Sequence, residues 1–135
     1  MSNPIAAGTS TSIVFTGPIP HSSVPPHLNL IDVAIQPAAN EYCCPMKILE
    51  YMSLGKPIIG PRQENIEELV KDGETGYLFT PGSLESMTEA MVKMTSDPDA
   101  LRRMGQRCVA TLHERELFWT GNARKVLKLV QAASS

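Results

Sequence analysis

Short apolar runs rich in β-branched residues alternate along the chain with stretches whose apolar side chains recur every three or four positions. The first run, Ser12-Ile-Val-Phe-Thr16, is closed by Gly17-Pro18 and predicts a strand over 12–16. Ser22 and Ser23, followed at once by prolines, predict a short helix over 24–30. Asp32-Val-Ala-Ile-Gln-Pro37 reads as a second strand. The strongest helical signal covers 45–54: Pro45 stands in the first turn, Met46, Leu49 and Met52 form an apolar stripe, and Gly55 stops it. Pro57-Ile-Ile-Gly60 predicts a short, fully apolar strand, 64–70 an acidic helix ended by Asp72-Gly73, and Gly76-Tyr-Leu-Phe79 a fourth strand. Three helices close the chain. Ser83 caps one running to about residue 95. Asp97-Pro98 starts the next, with Leu101, Met104, Cys108 and Leu112 on one face, and the last covers about 118–131.

Strands alternating with helices require crossover connections, hence a parallel sheet. The expected class is α/β, with a parallel sheet of about four strands, flanking helices and a C-terminal helical cluster. Residues 1–11 (MSNPIAAGTST) are small, polar and aperiodic and read as a disordered leader, leaving 12–135 as one domain without internal repeats.

Composition narrows the function classes. With 135 residues, 42% hydrophobic and 19% charged, the chain is a soluble globular domain, able to bury roughly two-thirds of its unfolded surface. Its longest apolar runs are a few residues, which argues against a transmembrane helix or a secretory signal peptide. A net charge of −2 gives no basic footprint for nucleic acid. That balance is uneven: residues 1–97 hold 5 Lys and Arg against 11 Asp and Glu, and residues 98–135 hold 7 against 3. The basic segment reads as a solvated helix face rather than a phosphate or lipid site. Three cysteines, two of them adjacent, form neither a disulfide framework nor a zinc pattern, and the reducing cytoplasm fits best.

In a parallel α/β sheet, ligands bind beyond the carboxyl ends of the strands, where loops feed helix N-termini. Residues 37–47 occupy that place. The start of the Pro45 helix offers backbone N–H groups to an anion, Lys47 adds a positive charge, and Glu50 can accept hydrogen bonds from a pair of sugar hydroxyls. The plain alternative for Lys47 and Glu50 is a surface ion pair at i,i+3. Glu41 reads as a loop carboxylate. Cys43 and Cys44 before a helix invite a low thiol pKa, but no partner spacing supports it and loop packing is the simpler reading. His21 sits in a turn after the first run, while His27 and His113 fall within helical patterns. Asp97-Pro98-Asp99 has the form of a metal-binding pair and the position of a helix cap; the cap is preferred, and no metal site is expected. Met87, Met91, Met94 and Met104 fall at helical spacing and read as core filler. Glycine-rich phosphate loops are absent.

Four segments carry a family likeness: Ile13-Val-Phe-Thr-Gly17 with Pro20-His21, Leu30-Ile-Asp-Val-Ala-Ile-Gln-Pro37, Pro45-Met-Lys-Ile-Leu-Glu-Tyr-Met-Ser-Leu-Gly-Lys-Pro-Ile-Ile59, and Glu67-Glu-Leu-Val-Lys-Asp-Gly-Glu-Thr-Gly-Tyr-Leu-Phe-Thr-Pro-Gly82. Their order resembles the second half of the C-terminal, nucleotide-sugar-binding domain of group 1 (family 4) glycosyltransferases, retaining enzymes with two facing Rossmann domains. Asp97-Pro-Asp-Ala-Leu-Arg-Arg-Met-Gly105 and Trp119 match the closing helices, so the likeness covers about residues 12–131.

The resemblance implies a partial Rossmann-like domain and assigns roles to residues. Two glutamates separated by seven residues flank the family's donor site. The second matches Glu50, whose implied role is to bind the ribose hydroxyls. The first would fall at position 42, which holds Tyr42, and Glu41 beside it is the catalytic candidate. Lys47 and the backbone of Cys44, Pro45 and Met46 would meet the diphosphate or donor sugar. Gly17, Pro18 and Ile19 would lie near the base. The donor would be a nucleotide diphosphate sugar, with no metal or other cofactor. Family members carry three further strands and an acceptor domain ahead of the segment matched here. The chain therefore reads as a fragment, a truncated product or an excised domain, expected to be inactive alone. The alternatives are a non-catalytic α/β binding or self-association module and, more remotely, a Cys43-dependent redox protein. The strand at 12–16, deprived of its family neighbour, would be an open edge through which two copies pair as a homodimer.

Overall fold

The structure, a computed structural model, describes residues 13–42 and 44–133. A 3-10 turn at His21–Ser23 leads into α1 (Val24–Leu30) and β1 (Ala34–Ile35). Then follow α2 (Met46–Ser53), β2 (Ile58–Pro61), α3 (Glu64–Glu67), β3 (Gly76–Phe79), α4 (Leu84–Thr95), α5 (Pro98–Glu114) and α6 (Trp119–Ala133). The strands are all parallel in the order β1-β2-β3, with Ala34 opposite Ile58 and Ile59 opposite Tyr77. The class is the expected one: α/β and Rossmann-like, with helices on both faces and a helical C-terminal part.

β2 is central, and every one of its residues is buried. Successive side chains point to opposite faces. Ile58 joins Ile48, Met52, Val70, Cys108 and Leu112, so α2, α3 and α5 cover one face. Ile59 joins Phe79, Ala90, Met94 and Met104, so α4 and part of α5 cover the other. A strand enclosed on both faces has no polar side to show, which is why 57–60 reads as a continuous apolar run. Each fully buried Ile or Met here contributes roughly 1.5–3 kcal/mol. α2 and α5 meet at two glycines. Gly55 ends α2 with φ 67°, and a Cβ on Gly105 would overlap its carbonyl oxygen.

Two helix caps match their sequence signals, while Ser23 at the start of α1 makes no side-chain cap bond. Ser83 Oγ accepts from the Ser86 N–H at 3.1 Å. The Asp97 carboxylate accepts from the N–H groups of Asp99 and Ala100, both at 3.0 Å, and so is occupied as a cap rather than as a metal ligand. Met94 and Met104 are buried and Met87 packs beside them, whereas Met91 is exposed and is not the core filler its spacing suggested.

Several expectations need correction. Three strands are present among the described residues, not about four. Residues 13–16 form no strand, and Ile13, Val14 and Phe15 are exposed; Ser12 and the leader 1–11 lie outside the described residues. A β-branched run becomes a strand only against a partner, and no described strand pairs with this one. β1 is two residues rather than six. One further bond, from the Gln36 N–H to the Ile59 carbonyl at 2.9 Å, extends its ladder before Pro37, which has no N–H to give. The acidic helix is regular only over Glu64–Glu67, although the Val70 N–H still reaches the Ile66 carbonyl at 2.8 Å. In α2 the buried stripe is Ile48 and Met52, with Leu49 partly buried; Met46 is 48% exposed and not part of the core.

Candidate functional site at the start of α2

β2 and β3 end in register at Pro61 and Phe79, and the segment after β1 leads from the carboxyl end of that strand into α2. Local bonds shape this loop. Gln36 Nε2 donates to the Ala38 carbonyl at 2.6 Å, and Asn40 Oδ1 accepts from the Tyr42 N–H at 3.0 Å. Asn65 Nδ2 donates to the Asn40 carbonyl at 2.9 Å and ties the loop to α3. Cys43 lies outside the described residues. The Met46 N–H turns back to the Cys44 carbonyl and the Ile48 N–H to that of Pro45, at 2.9 and 3.0 Å. No side chain caps α2. Its first turn holds no acidic residue, so the positive end of its dipole is not neutralised from within the helix.

Ile48 and Met52 anchor α2 in the core, so the helical period turns Lys47 and Glu50 outward. They do not form the i,i+3 ion pair, and neither has a salt-bridge partner among the described residues. Arg62, just after β2, is the contrast. Asp72 holds it at 2.6 Å and Glu67 at 3.0 Å, and these two hydrogen bonds, Asp72 first, raise its pKa. Arg62 is a committed structural cation and Lys47 an unpaired one.

Three clefts meet around Cys44. One of about 640 Å³ is lined by Cys44, Met46, Leu49 and Glu50 on the α2 side, and by Leu112, Leu117 and Trp119 on the other. A second of about 330 Å³ holds Gln36, Asn40, Pro45 and Lys47. The third, about 370 Å³, holds Glu41 and Tyr42 with Glu64 and Glu68 of the α3 segment. The start of α2 thus gathers Glu41, Cys44, Pro45, Met46, Lys47 and Glu50. Gly17, Pro18 and Ile19 line none of these clefts; Gly17 is exposed with φ 64°. The residues beyond sequence reasoning are Leu112, Leu117, Phe118 and Trp119, which close the Glu50 cleft from the α5–α6 junction. The adjacent aromatic pair was their only local signal.

Burial, then the charge of Glu50, raises the pKa of the Tyr51 hydroxyl, which stays a neutral donor. Cys44 is exposed and Cys108 buried, both as free thiols. Burial pushes Cys108 up to about 12 while its Sγ donates to the Thr75 carbonyl at 3.2 Å, so this thiol is inert. Among the described residues no cluster of three His, Cys, Asp or Glu is placed to hold a metal ion, and no helix is long and apolar enough to cross a membrane.

A parallel sheet clad on both faces, with an uncapped helix start and clefts near its carboxyl edge, defines a Rossmann-like unit. Residues 2–97 match the family described as "Glycosyl transferases group 1", and the chain belongs to that family. It is 26% identical over 101 residues to the alpha-D-kanosaminyltransferase of Streptomyces kanamyceticus, covering 75% of this chain and 26% of that enzyme. Among solved structures, the sucrose-phosphate synthase of Thermosynechococcus elongatus superposes with a TM-score of 0.73 at 22% identity, over 90% of this chain and 31% of that one. HepE of Anabaena in complex with UDP gives 0.72 at 21% identity, over 82% of this chain and 30% of that one. The chain thus spans about a quarter of the length of the curated relatives it matches.

Proposed function

We propose that this chain is the donor-binding part of a retaining glycosyltransferase, and that residues 12–135 form that unit. The observation that carries the reading is the unpaired Glu50 carboxylate. It stands one turn into a helix whose start has no side-chain cap and carries the unpaired Lys47. Glu50 accepts hydrogen bonds from the ribose hydroxyls of a nucleotide diphosphate sugar. Lys47 supplies the positive charge for the diphosphate, which lies against Cys44, Pro45 and Met46. The Pro45 nitrogen carries no hydrogen and the Met46 N–H is taken by the Cys44 carbonyl, so the helix dipole rather than those amides favours the anion there. Support for this donor class comes from HepE, whose structures include complexes with UDP and with UDP-glucose.

In a transfer reaction, these groups stabilise the charge that builds on the leaving diphosphate without a metal ion. Glu41 is the carboxylate assigned to the donor sugar. The acceptor is positioned by parts of the family that this segment does not match, so the isolated chain binds donor without transferring sugar. Positioning alone supplies roughly 7–11 kcal/mol of such a barrier. A cytoplasmic location fits the free thiols of Cys44 and Cys108. Self-association through 12–16 belongs to the same proposal: Ile13, Val14 and Phe15 are exposed, and two copies bury them against each other. Calorimetric titration of the purified chain with UDP-glucose tests the core of the reading. Saturable binding that Glu50→Gln weakens at least tenfold is expected, and equal binding by both proteins refutes the ribose role.

A further inference from the structure

We propose that Asn65 is a positioning residue for Glu41, fixing the backbone that carries this carboxylate before a donor arrives. The inference rests on the donor-binding reading, in which Glu41 meets the donor sugar. It extends that reading to a residue outside the four family segments.

Glu41 has no regular element beneath it. The β1 ladder ends with the Gln36 N–H on the Ile59 carbonyl, and α2 starts only at Met46. Between them Ala38, Asn40, Glu41 and Tyr42 are exposed. A side chain on such a loop points where its two flanking peptide planes send it, because each plane is rigid and only φ and ψ between them turn. At Glu41 both planes are held. The Asn40 carbonyl, in the plane before Glu41, accepts from Asn65 Nδ2 at 2.9 Å. The Tyr42 N–H, in the plane after it, donates to Asn40 Oδ1 at 3.0 Å. The second bond is local and moves with the loop. The first comes from a residue 25 positions away and sets the loop relative to the sheet.

Asn65 has the footing for this task. Its neighbour Ile66 is fully buried among Ile48, Ile58 and Val70. A Cβ on Gly60 of β2 would come within 3.2 Å of Ile66 Cγ2, so this segment lies tight on the central strand. The N–H groups of Ile66 and Glu67 close the turn around Asn65 by donating to the Gln63 carbonyl at 2.9 and 2.8 Å. Arg62 then holds Glu67 at 3.0 Å. Asn65 itself is half-buried and lines the cleft of about 370 Å³ together with Glu41 and Cys44. The rigid part of the fold thus reaches across the cleft to an exposed carboxylate. Order at Glu41 is established on folding, so a ligand does not have to impose it.

The purified chain is titrated calorimetrically with UDP and with UDP-glucose. The proteins are the parent, Asn65→Ala, Asn65→Leu, Glu41→Ala and the double variant Asn65→Ala/Glu41→Ala. Glu41→Ala should weaken UDP-glucose about tenfold and leave UDP within about twofold of the parent. Each Asn65 variant should weaken UDP-glucose about three- to tenfold, with UDP affinity and the urea midpoint close to those of the parent. Asn65→Ala should add nothing to Glu41→Ala, as expected of a residue that acts through another. Four results overturn the positioning role and leave donor binding standing: full UDP-glucose affinity in both Asn65 variants, equal losses for the two ligands, additive losses in the double variant, or unfolding of both Asn65 variants. Unchanged binding by Glu41→Ala overturns the sugar contact of Glu41 and the positioning role with it. Absence of heat with either ligand in the parent overturns the donor reading as well.

Discussion

Two helices of this domain begin in opposite ways. At the start of α5, Asp97 accepts from the N–H groups of Asp99 and Ala100, and Arg103 lies 3.8 Å from its other carboxylate oxygen. Every interaction there is internal. At the start of α2 no side chain caps the helix, the nearest cation is unpaired, and clefts open around Cys44. Both helices pack on the same face of the sheet. The difference teaches where the domain commits its polar groups to its own stability and where it leaves them for something else. A closed cap and an open one on neighbouring helices set a purely structural helix start beside the one proposed to bind donor.

The largest effect comes from breaking the contact that holds the two helices together. Gly105→Val drives a side chain into the Gly55 carbonyl. We expect a loss of about 3 kcal/mol in urea unfolding, with nucleotide binding falling in parallel. Glu50→Gln separates binding from stability: UDP affinity drops by about 1.5–3 kcal/mol, read by calorimetry, with the unfolding midpoint unchanged.

Asp97→Ala is the mirror experiment. It lowers the thermal midpoint by a few degrees and leaves UDP affinity as it was. Its pH dependence has a definite sign. The backbone donors of Ala100 and then Asp99, followed by the charge of Arg103, depress the Asp97 pKa below its usual value. The cap's contribution is therefore complete above the unfolded pKa, near 3.9, and disappears as pH falls through the lower folded value. Stability curves of parent and Asp97→Ala should converge below that point. Curves that stay parallel into strong acid would show that the carboxylate's charge is irrelevant.

The smallest effect concerns residues 13–16, whose backbone joins no ladder. Light scattering over a wide concentration range should show a dimer at high micromolar protein for the parent and a monomer for Val14→Lys. The folding midpoint should be the same for both. A parent that stays monomeric throughout removes self-association through this segment.

Much of this domain was legible locally. Asp97-Pro98 and Ser83 marked two helix starts to the residue, because a cap is a bond between neighbours in sequence. Gly55 marked the end of α2 for the same reason, whereas Asp72-Gly73 stands beyond a helix that already stops at Glu67. The apolar run at 57–60 announced a strand buried on both faces. Glu50 and Lys47 were legible as candidates through spacing and family likeness. That they stay unpaired was not, since an i,i+3 pair and two separate side chains have the same sequence.

What failed were readings that depend on a partner far along the chain. Ile13-Val-Phe has every strand propensity and no strand beside it, so its backbone gains nothing from extension into a ladder. Trp119 passed as an ordinary helix start until α5 brought Leu112 and Leu117 round to face Glu50 across a cleft. The sequence alone determined caps, breaks, the alternation of strand and helix, and which positions are too apolar to stay in water. The tertiary structure alone decided which edge has a neighbour, which ion pairs form and which walls meet. Those outcomes turn on distances between residues tens of positions apart, and neither local propensity nor periodicity contains such distances.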